Sequence, residues 1–262
     1  MTGQSDDAVN KQVMIQVRGL ITRFGHETIH DGIDLDIFKG EIIGLVGGSG
    51  SGKSTLLRAL TMLLQPSGGS IKIGPHELIG IDEASASELR RHMGVMFQQG
   101  ALFSSLTVLQ NVCVPLKEHT QLSIQLIQQL GLMKLKLVGL TEQAADKYPK
   151  HLSGGMIKRV AVARALALDP DILFLDEPSA GLDPISAHAL DELILQLREA
   201  LGLTVIIVTH DIDSLWRLTD RVAFLGEKRL LAVADLKTLS QHHHPLIHEY
   251  FQGPRGRAAQ VN

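Results

Sequence analysis

Residues 47–54 read Gly47-Gly48-Ser49-Gly50-Ser51-Gly52-Lys53-Ser54, a spacing able to wrap a phosphate. The glycines let successive backbone N–H groups turn toward one centre, making an anion nest at the start of a helix. Lys53 supplies a point charge for the β- and γ-phosphates, and the Ser54 hydroxyl is a ligand for Mg2+. The apolar run Ile42-Ile43-Gly44-Leu45-Val46 just ahead provides the strand that such a loop follows. The chemistry this predicts is binding of a nucleoside triphosphate.

A phosphate loop alone has false positives, so metal and catalytic groups are expected downstream. Ile172-Leu173-Phe174-Leu175-Asp176 is an apolar strand ending in a carboxylate, placed to hold Mg2+ through water beside Ser54. Glu177 follows, where it can polarise the attacking water as general base. Adjacent carboxylates repel, and a bound cation is a natural reason to tolerate them; the bland alternative is a plain Asp-Glu-Pro turn. His210 comes just after the apolar run 204–208 and can bond the γ-phosphate and hold the attacking water. Alone it reads as a capping or core histidine, but its order after Asp176 favours the catalytic role. Gln98 is a neutral ligand for Mg2+ or its water, chosen over Gln99 because Met96-Phe97-Gln98 ends a strand; a solvated loop glutamine is the alternative.

Leu152-Ser153-Gly154-Gly155-Met156 opens a further helix, with Ser153 at the N-cap and two glycines exposing backbone N–H groups. It is a second anion-binding helix start. Two such starts far apart in one chain point to two copies sharing each nucleotide head to tail, with Ser153, Gly154 and Gly155 supplied by the partner copy.

The elements that must position these groups can be read from periodicity. Residues 13–24 and 33–38 alternate as half-exposed antiparallel strands do, and 42–46 is a fully apolar strand leading into a helix over 54–64. A short strand over 71–73, a small helix ending at 91 and a strand over 94–97 come next. From about 104 to 150 strand signals vanish, and helical patterns cover 107–116, 122–130 and 133–138. A helix over 153–168, a strand at 172–175, a helix at 185–201, a strand at 204–208, a helix at 213–219 and a last core strand at 221–225 complete the pattern. Alternating strands and helices with wholly apolar central strands predict an α/β fold with a mostly parallel sheet covered on both faces. No internal repeat is present.

The chain has 262 residues, enough for one large α/β domain or two small ones. Its formal net charge of −3 provides no global basic field, so a nucleic-acid partner is not expected. A single cysteine, Cys113, excludes an internal disulfide and reads as a small apolar residue. The opening MTGQSDDAVNKQ has no signal pattern, and no apolar run approaches the roughly 20 residues that cross a bilayer. The expectation is a soluble chain that reaches a membrane only through a partner. His242-His243-His244 reads as a solvated run rather than a metal site, and Ile247, Tyr250 and Phe251, at helical spacing, are placed to dock on a neighbouring subunit.

Taken together, these residues resemble the ATPase subunits of ABC transporters, over about residues 13–235. The Walker A loop, Gln98, the LSGGM signature at 152–156, the Walker B strand, Glu177 and His210 stand in the family's order and spacing. The resemblance implies a P-loop ABC ATPase fold with an antiparallel β subdomain and an inserted helical subdomain. Its implied divisions are a polar tail at 1–12, one ATPase domain at 13–240 (core 13–97 and 158–240, helical subdomain 98–157) and an extension at 241–262. It implies ATP and Mg2+ as cofactors and extends the nucleotide contacts to Thr55. It places Phe24 where an aromatic residue stacks on adenine, and Asp183 where an aspartate contacts the partner subunit. Met156 and Ala180 stand where Gln and Ser are usual, without removing a phosphate or metal ligand.

A narrower resemblance lies in 98–120, QQGALFSSLTVLQNVCVPLKEHT, which is similar to the ATPase of Mla-type phospholipid transporters. It implies a groove for a polytopic permease and a periplasmic lipid-binding subunit of MCE type, and leaves room for a small accessory subunit. The implied place is the cytoplasmic face of the inner membrane. The alternatives are an ABC ATPase serving another solute, or a soluble, non-transport one.

Overall fold

The computed structural model describes residues 12–252; most of the 1–12 tail and positions 253–262 of the extension lie outside them. The chain begins β1 (Val13–Phe24), β2 (Glu27–Phe38), β3 (Ile42–Gly47), α1 (Lys53–Leu60), β4 (Gly68–Ile73) and β5 (His76–Glu77). It continues through α2 (Glu83–Arg91), β6 (Met93–Met96), α3 (Val108–His119), α4 (Ile124–Leu137) and α5 (Gly154–Ala165). Then come β7 (Ile172–Asp176), α6 (Pro184–Leu201), β8 (Thr204–Val208), α7 (Ile212–Leu218), β9 (Arg221–Gly226), β10 (Arg229–Ala234), α8 (Leu236–Ser240) and α9 (Pro245–Gln252).

Two sheets result. One is antiparallel, in the order β2-β1-β4-β5; the other runs β10-β9-β3-β8-β7-β6 and is parallel from β9 to β6, with β10 antiparallel at its edge. Successive residues of β7 and β8 go to opposite cores. Leu173, Leu175, Val205 and Ile207 pack beneath α5 and α6, whereas Phe174, Ile206 and Val208 pack with α1 and the antiparallel sheet. A strand buried on both faces has no polar side, which is why these runs are wholly apolar. The α/β class with a covered parallel sheet is as the sequence predicts.

Several boundaries differ. The patterns at 122–130 and 133–138 form one helix, α4, which passes Gly131 without a break because that residue packs closely on Leu109 and Cys113 of α3. The strand expected at 33–38 begins at Glu27, and register shifts along its pairing with β1 hide the alternation. The helix expected to reach 64 ends at Leu60, with Met62 at positive φ. Residues 221–225 are not the last strand, since β10 follows. Ile247 and Phe251 are buried against Phe224 within the same chain, with Tyr250 beside them, so they do not await a neighbour. Cys113 is buried, in keeping with an apolar role.

Candidate active site

The parallel order β3-β8-β7 brings three strand ends to one edge, where ligands of open α/β sheets bind. The glycine loop leaves β3 and passes into α1 at Gly52, which takes a left-handed conformation (φ 94) and carries no side chain to obstruct the turn. Lys53 Nζ donates to the carbonyls of Gly47 (2.8 Å) and Gly48 (2.9 Å) and lies 3.5 Å from Ser51 Oγ. Burial lowers the Lys53 pKa, while Glu177 and Asp176 pull it upward. Burial pushes the Asp176 carboxyl up, and its neighbour Glu177 adds to this, against Arg58, Lys158 and Lys53.

Glu177 adopts positive φ (49°), uncommon for a non-glycine residue and found at strained functional positions. Its N–H donates to the carbonyl of Val208 (2.8 Å) at the end of β8; its carbonyl accepts from Ala180 N–H (3.2 Å) and Lys158 Nζ (3.2 Å). Its side chain, 13% exposed, lies 2.9 Å from Nδ1 of His210, whose side chain is 60% exposed. With Glu177 ionised, Nδ1 donates to it and Nε2 is left for a ligand, accepting from water in the neutral ring and donating to a phosphate oxygen in the imidazolium.

Lys158 was not singled out in the sequence. Buried on α5, it bonds the carbonyls of both Gln98 and Glu177. Beside Arg159 in the sequence, it carries no signal that sets it apart as a buried cation. β6 ends at Met96, so Gln98 lies in the turn beyond the strand, exposed, with its carbonyl engaged by Lys158. Phe24 closes β1 opposite Glu27 and is 51% exposed. A cavity of about 640 Å3 opens beside Gly48–Ser51, between Thr28, Lys228 and Tyr250 of α9. Burial, with Glu177 and Asp211 nearby, pushes Tyr250 up to about 12.

Ser153 and Asp183 form a second group. The Ser153 hydroxyl caps α5 by accepting from Met156 N–H (3.3 Å), and Asp183 caps α6 by accepting from Ile185 and Ser186 N–H. Gly154 and Gly155 pack beside Leu182 and Ser186. Among the described residues, no hydrogen bond joins Ser153–Gly155 to the glycine loop. The loop from Gly100 to Phe103 is fixed by Arg164, which donates to the carbonyls of Gly100 and Ala101 (2.7 Å each), and by buried Asn111, which bonds Phe103 N–H (2.7 Å) and its carbonyl (3.1 Å). Pro115 and His119 of α3 line a small cleft with Arg90 and Val95. Among the described residues, no cluster of three or more His, Cys, Asp or Glu could hold a metal, which includes His242–His244; none of their helices is long and apolar enough to cross a membrane.

The family model described as ABC transporter matches residues 30–180. The chain is 38% identical to the intermembrane phospholipid transport system ATP-binding protein MlaF of Haemophilus influenzae, over 92% of this chain and 91% of that protein. It is 38% identical to the probable ribonucleotide transport ATP-binding protein mkl of Mycobacterium leprae, over 93% of this chain and 70% of that one. Among solved structures it is similar to the ATP-binding cassette MJ0796, a dimer bound to ADP and Pi in a post-hydrolysis state, with TM-score 0.78 and 33% identity over 85% of this chain and 99% of that one. It is also similar to cbiO1 of Clostridium perfringens, part of an ABC transporter complex, with TM-score 0.80 and 31% identity over 96% and 99% of the two chains.

Proposed function

We propose, from the premise that this chain belongs to the ABC transporter family of ATP-binding proteins, that it hydrolyses ATP to drive phospholipid transport between membranes. The observation that carries the ATPase assignment is the meeting of the glycine loop, Asp176, Glu177 and His210 at one edge of the sheet. The phospholipid reading is supported by the MlaF relatives, which this chain matches over nearly its full length and theirs. The mkl proteins are equally identical but longer, and they offer ribonucleotides as the competing cargo.

Hard oxygen donors suit Mg2+, which takes few protein ligands and completes its shell with phosphates and water. Ser54 and Asp176, with Gln98 beyond β6, are that kind of set, and the mutual repulsion of Asp176 and Glu177 gives a cation something to relieve. When bound, Mg2+ supplies charge neutralisation for the transferring phosphoryl group. Lys53 binds the phosphates, Phe24 stacks on adenine, and Glu177 takes the proton of the attacking water. His210, oriented through Nδ1 by Glu177, presents Nε2 to the γ-phosphate and the water.

Two copies close head to tail, so Ser153, Gly154, Gly155 and Asp183 of one meet the nucleotide on the other. The dimeric cassette with ADP and Pi supports this arrangement. The loop fixed by Arg164 and Asn111, with exposed Phe103, forms part of the groove for a polytopic permease. Through that permease the subunit sits on the cytoplasmic face of the inner membrane, in a complex with a periplasmic MCE-type lipid-binding subunit and a small accessory subunit. Co-purification from membranes tests the cargo: recovery with a permease that carries phospholipid supports it, and recovery with a nucleotide, amino-acid or metal permease contradicts it.

A further inference from the structure

β2 turns apolar side chains inward at Ile33, Leu35 and Ile37, but the inward position nearest the glycine loop is His30, fully buried. Its Nδ1 lies 2.8 Å from the hydroxyl of buried Thr22 on β1. Its Nε2 bonds no side chain, and its polar neighbour is the backbone of Gly52. That edge of the ring lies against Gly52, where any Cβ would overlap Nε2 and crowd Ile29. A polar ring in a dry site costs free energy that Leu or Phe would not, so its presence needs a reason.

The charges around it suggest one. On the loop side Lys53 follows Gly52 in the chain; on β1 the facing group is neutral Thr22. Glu27 and Asp31 on β2 itself are exposed, Asp31 paired with Arg229 of β10, while Glu227 and Lys228 line the neighbouring cavity. Burial holds the His30 pKa below its ordinary value, against an upward pull from the Gly52 backbone. Among these groups no carboxylate pairs with the ring, so beyond the pull of the Gly52 backbone the charge that favours imidazolium comes with a ligand of the loop.

We propose that His30 is a positioning residue of the phosphate loop, taking up a proton at Nε2 when a nucleotide's phosphates fill the nest. The proton comes from solvent, and neutral imidazole becomes imidazolium beneath Gly52. The inference rests on the nucleotide reading above. Because the bound form holds more protons, affinity tightens as pH falls toward the histidine range, by at most about tenfold per pH unit.

Isothermal titration calorimetry with ADP, in buffers of different ionisation enthalpy near pH 6.5, the ordinary histidine value, separates the outcomes. Wild type takes up more protons per bound ADP than His30→Phe, the nucleotide's own titration cancelling between the two. Equal proton counts with intact binding overturn the His30 inference alone; no ADP binding by wild type overturns the nucleotide reading and this inference with it. Should His30→Phe fail to fold, histidine NMR of wild type decides, using His30→Gln to identify the signal. Its titration midpoint must rise on adding ADP, and an unmoved midpoint overturns the inference.

Discussion

Glu177 and His210 lie 2.9 Å apart although they leave different strands and are separated by 33 positions in the sequence. The pairing makes the two side chains one unit. It also predicts unequal losses. Glu177→Gln keeps a hydrogen-bonding group for His210 but removes the base, so kcat in a steady-state ATPase assay falls by about 10²–10⁴. His210→Ala removes the ring nitrogen proposed to face the γ-phosphate and the attacking water, a contact that counts most in the transition state, and kcat falls by about 10²–10³. Binding of ATP, read by fluorescence, changes little in either, and unchanged turnover in Glu177→Gln would sink the assigned mechanism.

Lys158 holds the strained Glu177 backbone from behind. Lys158→Met fills the same space but removes the donor to the Gln98 carbonyl and one of the two donors to the Glu177 carbonyl, at a cost of about 1–3 kcal/mol in all. Thermal melting should show that loss. Relaxation of Glu177 should lower kcat by about a hundredfold while KM stays within a few-fold. A matching loss of stability with full turnover would restrict Lys158 to a structural role.

How far the sequence reached follows from where each side chain looks. The glycine loop and the runs 42–46, 172–175 and 204–208 were legible because a strand buried on both faces admits only apolar residues. β10 was missed because most of its residues are half-buried at a sheet edge, which blurs both apolar and alternating patterns. The gap between the helical patterns 122–130 and 133–138 holds Gly131, a contact point between α3 and α4. Lys158 and His30 escaped because their partners lie on other elements, and spacing along one segment carries no trace of them. The docking assigned to Ile247, Tyr250 and Phe251 failed for a related reason: an apolar helix face does not reveal whether its cover is another chain or its own core.

Asp191 is fully buried on α6, where one carboxylate oxygen bonds Ser214 (2.8 Å) and Arg217 of α7 and the other has no partner. Burial raises its pKa above the ordinary 3.8, against Ser214 and Arg217. The folded state therefore holds this proton more tightly than the unfolded chain. The stability that follows is fully present below 3.8 and is lost as pH rises through the raised folded value. The melting temperature of Asp191→Asn relative to wild type should climb with pH across that acid window and then level off. A difference that does not vary with pH there would contradict the assignment.

Ser153→Arg places a bulky cation at a helix start proposed to meet a nucleotide on the partner copy. Loss of the cap costs about 1 kcal/mol, so the protein stays folded. Hydrolysis should vanish while ADP binding by the monomer, followed by calorimetry, stays near wild type. Loss of binding in the isolated monomer would place Ser153 at its own chain's nucleotide instead.

The composite site is tested most directly by mixing two inactive proteins. In a head-to-tail dimer of Ser153→Arg with Glu177→Gln, one site keeps an intact Glu177 from the first chain and an intact Ser153 from the second. An equimolar mixture should therefore recover about a quarter of wild-type ATPase activity, half the dimers being mixed with one working site each. A mixture as inactive as its components, with dimers shown to exchange, would contradict a site shared between two copies.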